Sequence, residues 1–173
     1  MKRAMTLAVL AALVGMHGWS APMVDGKISE GEYDHSLSLI YDTAMVYYQF
    51  GADGSLSLAV TAPTQGWVGL GLGSVVMDGA HIFMGYVKDG QPVISEQIGQ
   101  GHSHDPSPNT WADASRVTQI AGATILELHI PAGRVPIDGK KIGIIVAYSG
   151  AADVTTFHDD NHDGAFIEVP ARP

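Results

Sequence analysis

The stretch Gln65-Gly66-Trp67-Val68-Gly69-Leu70-Gly71-Leu72-Gly73 constrains the chain more than any other. Glycine alternates with Val or Leu, and strict alternation is the period of a strand rather than a helix. Residues two apart in a strand share a face, so glycine at 69, 71 and 73 leaves one face almost bare backbone. Glycine inside a strand forgoes packing and is found where another body comes close to the backbone. Either a large flat body lies against this wall, or a neighbouring layer packs tightly on it. Met77, at the end of the wall, is correspondingly a soft thioether ligand or a core filler. A second strand, Ala80-His81-Ile82-Phe83-Met84-Gly85-Tyr86, follows.

The same strand-and-turn grammar runs through the rest of the chain. Ser36 to Tyr41, Met45 to Phe50 and Leu56 to Val60 read as strands, with a hairpin turn at Ala52-Asp53-Gly54. Val93 to Ile98, Arg116 to Ile120, Ala123 to Ile130, Lys141 to Tyr148 and Ala165 to Val169 continue the series. Lys141 to Tyr148 is almost continuously apolar, as in a buried strand. Gly99 to Asn109, Pro131 to Gly139 and Ser149 to Gly164 read as loops, and loops this long in a compact domain tend to be functional. About ten short strands with no amphipathic helix predict an all-β protein, an antiparallel β-sandwich.

Residues 1–20 read as a secretory signal peptide. Met1-Lys2-Arg3 is basic, Ala4 to Met16 is apolar but shorter than a spanning helix, and Gly18 and Ser20 suit cleavage after Ser20. Residues 21–173 then form one exported domain, secreted or periplasmic, of about 150 residues, enough for a single core. No transmembrane segment is expected after signal removal. The chain has no cysteine, which excludes disulfides, thiolate nucleophiles, iron–sulfur clusters on thiolates and covalent haem attachment through C-x-x-C-H. A formal net charge of -9 argues against a nucleic-acid partner.

Of 8 histidines, one leaves with the signal, and most of the remainder fall in two loops. His102-Ser103-His104 is an H-x-H pair able to grip copper or zinc if a third ligand joins it. Asp159-x-Asn161-x-Asp163-Gly164 fits the first half of a calcium loop, but Pro170 stands where the closing Glu belongs and Glu168 comes too early. An EF-hand is therefore excluded and an acidic turn is the simpler reading. His158 differs from these: it follows Phe157 beyond an apolar strand, as Met77 follows Trp67–Leu72. If the two loops share an edge of the sandwich, imidazole and thioether could face each other across a haem. Met/His ligation fills both axial positions and suits electron transfer rather than oxygen activation.

Gly66-Trp67-Val68-Gly69-Leu70-Gly71, then Met77, then Ala80–Tyr86, together resemble the DOMON family. So do the ending, Ala147-Tyr148, Phe157-His158 and Asp163-Gly164-Ala165-Phe166-Ile167-Glu168-Val169, and the lead-in Asp25-Gly26-Lys27-Ile28 with Glu32-Tyr33. The resemblance implies an immunoglobulin-like β-sandwich. Its members include the haem b cytochrome domain of cellobiose dehydrogenase and other extracytoplasmic redox or sugar-binding modules. In the cytochrome members a Met soon after the G-W motif and a late His hold the iron, which carries over to Met77 and His158, with His162 as the alternative to His158. Trp67, Gly69, Gly71, Phe83 and Met84 would then touch the porphyrin. This chain departs from the family at His81, where an acidic residue is common, and in the His102–His104 loop.

The resulting expectation is a secreted module carrying non-covalent haem b. It would pass electrons to a redox partner protein or a membrane electron-transfer protein, with no catalytic turnover of its own. A sugar-binding module stacking ligands on Trp67, Trp111 and Tyr residues is the alternative from another class. A copper or zinc carrier built on His102 and His104 is the third. No G-x-S-x-G elbow points to a hydrolase.

Overall fold

The alternating pattern builds strands throughout. The computed structural model describes residues 21–153 and 157–171, so the expected export signal lies outside the described residues. The strands are β1 (His35–Leu39), β2 (Ala44–Phe50), β3 (Leu56–Ala62), β4 (Val68–Leu72), β5 (His81–Lys88) and β6 (Gln91–Gln100). They continue as β7 (Ser103–Pro106), β8 (Ala114–Ile120), β9 (Ala123–Ile130), β10 (Lys141–Tyr148) and β11 (His162–Glu168). The one helical piece among the described residues is a 3-10 turn at Ala132–Arg134. None of these elements is a helix long and apolar enough to cross a membrane.

Two antiparallel sheets form a sandwich, one ordered β1-β2-β3-β9-β8 and the other β11-β10-β4-β5-β6-β7. The all-β expectation holds, with three differences in where the strands fall. The 99–109 stretch, read as loop, contains β7, which pairs with β6 from Gln97↔Pro106 to Gln100↔Ser103. β11 begins at His162 rather than Ala165, because the polar residues His162, Asp163 and Gly164 pair with Ala147, Val146 and Ile145. At the other end of the chain β1 stops at Leu39, since Ile40, Tyr41 and Asp42 all take positive φ.

Leu56, Leu58, Leu70, Leu72, Leu126 and Leu128 are fully buried between the sheets. Each such side chain contributes about 1.5–3 kcal/mol through removal from water. The register puts Val68, Leu70 and Leu72 of β4 opposite Gly85, Phe83 and His81 of β5, all on this inner face. By alternation the outer face of the same strands carries Gly69, Gly71, Ile82 and Met84, joined by Ile145 and Ala147 from β10. An antiparallel sheet commonly leaves its second face to water and polar side chains. Here that face is apolar, and a second cluster of Trp67, Ala80, Ile82 and Met84 gathers on it, with Met77, Ile145 and Ala147 against it.

Candidate functional site

Two cross-strand rows make the floor of the site. Ala147, Gly69 and Met84 lie side by side, and Ile145, Gly71 and Ile82 form the next row. The two glycines differ in what they make room for. A Cβ on Gly71 would stand 2.6 Å from Ile145 Cγ2 and 3.2 Å from the Ala80 Cβ, so packing alone requires glycine there. A Cβ on Gly69 would meet Trp67, Ala147 and Met84 at 3.5–3.9 Å, ordinary contact distances. Nothing in the fold forbids a side chain at 69; what its absence leaves is open space above the floor.

That space is a cavity of about 770 Å³ bounded by β4, β5, β10 and the loops around them. It falls within the roughly 300–1,000 Å³ range of small-molecule and cofactor pockets. Trp67, Gly69, Gly71 and Met84 line it, and so do Met77, His158, His102, His104 and His162. Phe83 does not. Strand alternation sends it to the opposite face, where it is fully buried in the main core, and the expectation that Phe83 touches a bound ring is corrected. Ile82 and Ile145 supply the wall instead.

Met77 sits half-buried on the Gly73–Ala80 connection. Its carbonyl accepts from Ala80 N at 3.1 Å, the Ala80 carbonyl accepts from Gly99 N at 2.9 Å, and Gly79 N donates to the Gly99 carbonyl at 3.1 Å. The loop is thus pinned to the end of β6. Asp78 Oδ1 adds a bond from Gly101 N at 2.8 Å.

His158 is held from the other side. The segment leaving β10 is tied down by Thr64 Oγ1 donating to the Ser149 carbonyl at 2.7 Å and by Trp67 N donating to the Ala151 carbonyl at 2.9 Å. The ring is 8% exposed, edge-on to Trp67 with centroids 6.3 Å apart. Its Nδ1 lies 2.8 Å from the Asp159 carbonyl. A carbonyl only accepts, so Nδ1 carries the proton and Nε2 presents a lone pair. Burial pushes the imidazole pKa below its ordinary value, against the Asp159 hydrogen bond, and this keeps the ring neutral. A neutral imidazole with a free lone pair is a metal ligand.

His162 is exposed, its ring centroid 4.6 Å from that of His158. His102 is exposed and His104 half-buried. Among the described residues no group of three or more His, Asp and Glu is arranged to hold a metal ion, so the H-x-H pair gains no third ligand. In the acidic turn the Asp163 carboxylate is likewise occupied by backbone amides, accepting from Ile40 N at 3.2 Å and Gly164 N at 2.8 Å. His81 lies away from the cavity, 1% exposed, stacked on Trp111 at 4.1 Å and bonded through Nε2 to Glu96 at 2.7 Å. Trp111 is therefore half-buried against a histidine rather than offered as a stacking platform.

A lone zinc or copper ion needs three or four protein donors. A porphyrin brings four nitrogens of its own and asks the protein for two axial donors. Met77 and His158 supply a thioether and a neutral imidazole over an apolar floor, a donor pair that fits haem, whereas among the described residues no three His, Asp or Glu come together to hold a bare ion. The residues missed in the sequence, Ile82, Ile145 and Ala147, were legible in principle: they share a face with Gly69, Gly71 and Met84 once the strand period is applied across the pairing.

No protein-family model matches this chain, and no curated protein sequence matches it. Among solved structures it is similar to the cytochrome b domain of pyranose dehydrogenase from Coprinopsis cinerea, at 15% identity and a TM-score of 0.56, covering 75% of this chain and 78% of that one. It is also similar to the cytochrome domain of Myriococcum thermophilum cellobiose dehydrogenase, at 11% identity and a TM-score of 0.55, covering 78% of this chain and 82% of that one. At these identities the likeness is one of fold.

Proposed function

We propose that this protein is a b-type haem module that passes electrons, and that Met77 Sδ and His158 Nε2 would hold the iron. The observation that carries the reading is that these two residues, remote in sequence, line one cavity over an apolar floor centred on Gly69 and Gly71. The similarity in fold to two cytochrome domains supports it. When bound, the haem would supply one-electron chemistry.

The chain's own groups perform the remaining tasks. The Asp159 carbonyl holds the His158 proton on Nδ1 and so keeps Nε2 free to donate. Trp67, Ile82, Met84 and Ile145 exclude water from the floor, and a low local dielectric disfavours the extra charge of the oxidised centre. The protein would act without turnover of its own, exchanging electrons with a redox partner protein or a membrane electron-transfer protein outside the cytoplasm. Phe157, 67% exposed and packed on His158 with centroids 4.4 Å apart, lies on the rim that such a partner would meet.

The test is haem titration of the purified protein. A Soret band with sharp reduced α and β bands is expected. Met77→Ala and His158→Ala should each lower haem affinity by at least about 10-fold, the cost typical of losing merely an outer-shell partner. Spectra and affinity unchanged in both variants would overturn the assignment.

A further inference from the structure

Three glycines from three strands lie directly beneath the segment that carries Met77. A Cβ on Gly99 of β6 would overlap the Met77 carbonyl oxygen outright and stand 3.2 Å from Met77 Cγ. A Cβ on Gly164 of β11 would overlap the Val75 carbonyl oxygen. On Gly143 of β10 it would meet the Ser74 carbonyl carbon at 2.8 Å and Ser74 Cα at 3.0 Å. Apart from Met77 Cγ these are backbone atoms, which cannot swing aside as a long side chain can. None of the three glycines has positive φ, so any residue could adopt their backbone. What only glycine allows at these positions is the close approach.

By alternation all three face outward, on the same side as Gly69 and Gly71. The segment is drawn down at both ends, by Gly73 N donating to the Gly143 carbonyl at 2.8 Å and by the bonds linking Gly79, Ala80 and Gly99. The backbone of Ser74, Val75 and Met77 therefore rests on three strand positions that carry no side chain.

We propose that Gly99, Gly143 and Gly164 form a seat that sets the depth of Met77 over the glycine floor, making them positioning residues for the bond between the thioether and iron. This rests on the haem reading above. A neutral thioether bonds iron only within a narrow range of distance and angle, and functional groups generally tolerate about 0.5 Å of displacement. Adding a methyl group under the loop exceeds that.

Gly99→Ala, Gly143→Ala and, as a control, Gly133→Ala, whose Cβ would meet nothing within 4 Å, test the seat. In the haem-loaded protein Gly99→Ala should lose the methionine-to-iron charge-transfer band while keeping haem on His158. Added imidazole should then enter the vacated position. Gly143→Ala should show the same change in weaker form, and Gly133→Ala none. In the haem-free protein, amide exchange at Gly79 and Ala80 should quicken by about 10-fold or more in Gly99→Ala, as expected of local opening. Where Gly99→Ala does not fold, Gly143→Ala decides. Retention of the charge-transfer band together with wild-type exchange in the folded variants overturns the proposal. Failure of the wild type itself to take up haem overturns the haem reading instead, and exchange in the haem-free variants still judges the seat.

Discussion

Gly69 and Gly71 stand two residues apart on one face and answer to different demands. Gly71→Ala forces a methyl group against Ile145 and Ala80 and should cost about 1–3 kcal/mol of stability, the usual penalty of overpacking. Gly69→Ala meets only ordinary contacts and should leave stability within about 0.5 kcal/mol of wild type. Gly69→Leu, by contrast, fills the cavity and should block haem uptake in a protein that still folds. Thermal melts and haem titrations on the three variants separate the two roles; a Gly69→Leu protein that binds haem like wild type would count against the floor. Phe83 and Met84 teach a related lesson. Adjacent residues of a strand point to opposite faces, so the two could never line one wall, and the register gives the cavity to Met84.

At the scale of elements, the apolar run of β10 is explained by its two occupied faces. Ile142, Ile144 and Val146 are fully buried in the core, and Ile145 and Ala147 line the cavity. β7 escaped sequence reading because Ser103, His104, Asp105 and Pro106 have no strand propensity; only pairing with β6 makes them a strand, and a short, charged, proline-ended strand suits a sheet edge. The lead-in before β1 is clasped to the five-stranded sheet, to which β1 itself belongs, by Glu127 of β9, fully buried, which accepts from Gly26 N at 2.5 Å and Tyr33 OH at 2.9 Å. Burial pushes the Glu127 carboxyl above its ordinary pKa, against those two hydrogen bonds. Glu127→Gln retains an acceptor and should change stability at neutral pH by less than about 1 kcal/mol. Glu127→Ala strands two donors and should cost about 2–6 kcal/mol, at about 1–3 kcal/mol for each buried group left unpaired. Denaturant melts check both, and equal losses in the two variants would refute the clasp.

For the molecule as a whole, acid should weaken both the fold and its hold on haem. Burial lowers the pKa values of His158 and His81 in the folded state, with Glu96 opposing the shift at His81. The unfolded chain therefore binds protons more readily than the folded one below about pH 6.5, so stability falls as pH drops through that window. Protonation of His158 Nε2 also removes the lone pair a metal would use. Glu127 acts with the opposite sign: its raised pKa contributes stability that is present below the unfolded carboxyl value and lost as pH rises through the folded one. In a Glu127→Gln background the melting temperature of haem-free protein should therefore fall between pH 7 and pH 5, and less steeply in His158→Ala. A melting temperature constant or rising on acidification would contradict the buried histidines.

From the sequence alone, the period-two alternation and dense turns determined an all-β sandwich, because side-chain direction along a strand is a local property of the backbone. The missing cysteines ruled out covalent haem for the same kind of local reason. The wall of alternating glycines and the two donor residues, Met77 and His158, were legible as residue types in a pattern. Tertiary structure alone decided that both donors open onto one cavity, that this cavity lies on the outer face of the six-stranded sheet, and that Gly99, Gly143 and Gly164 carry the loop of Met77. Those facts depend on which strands pair and in what register, and register is fixed by contacts between residues far apart along the chain.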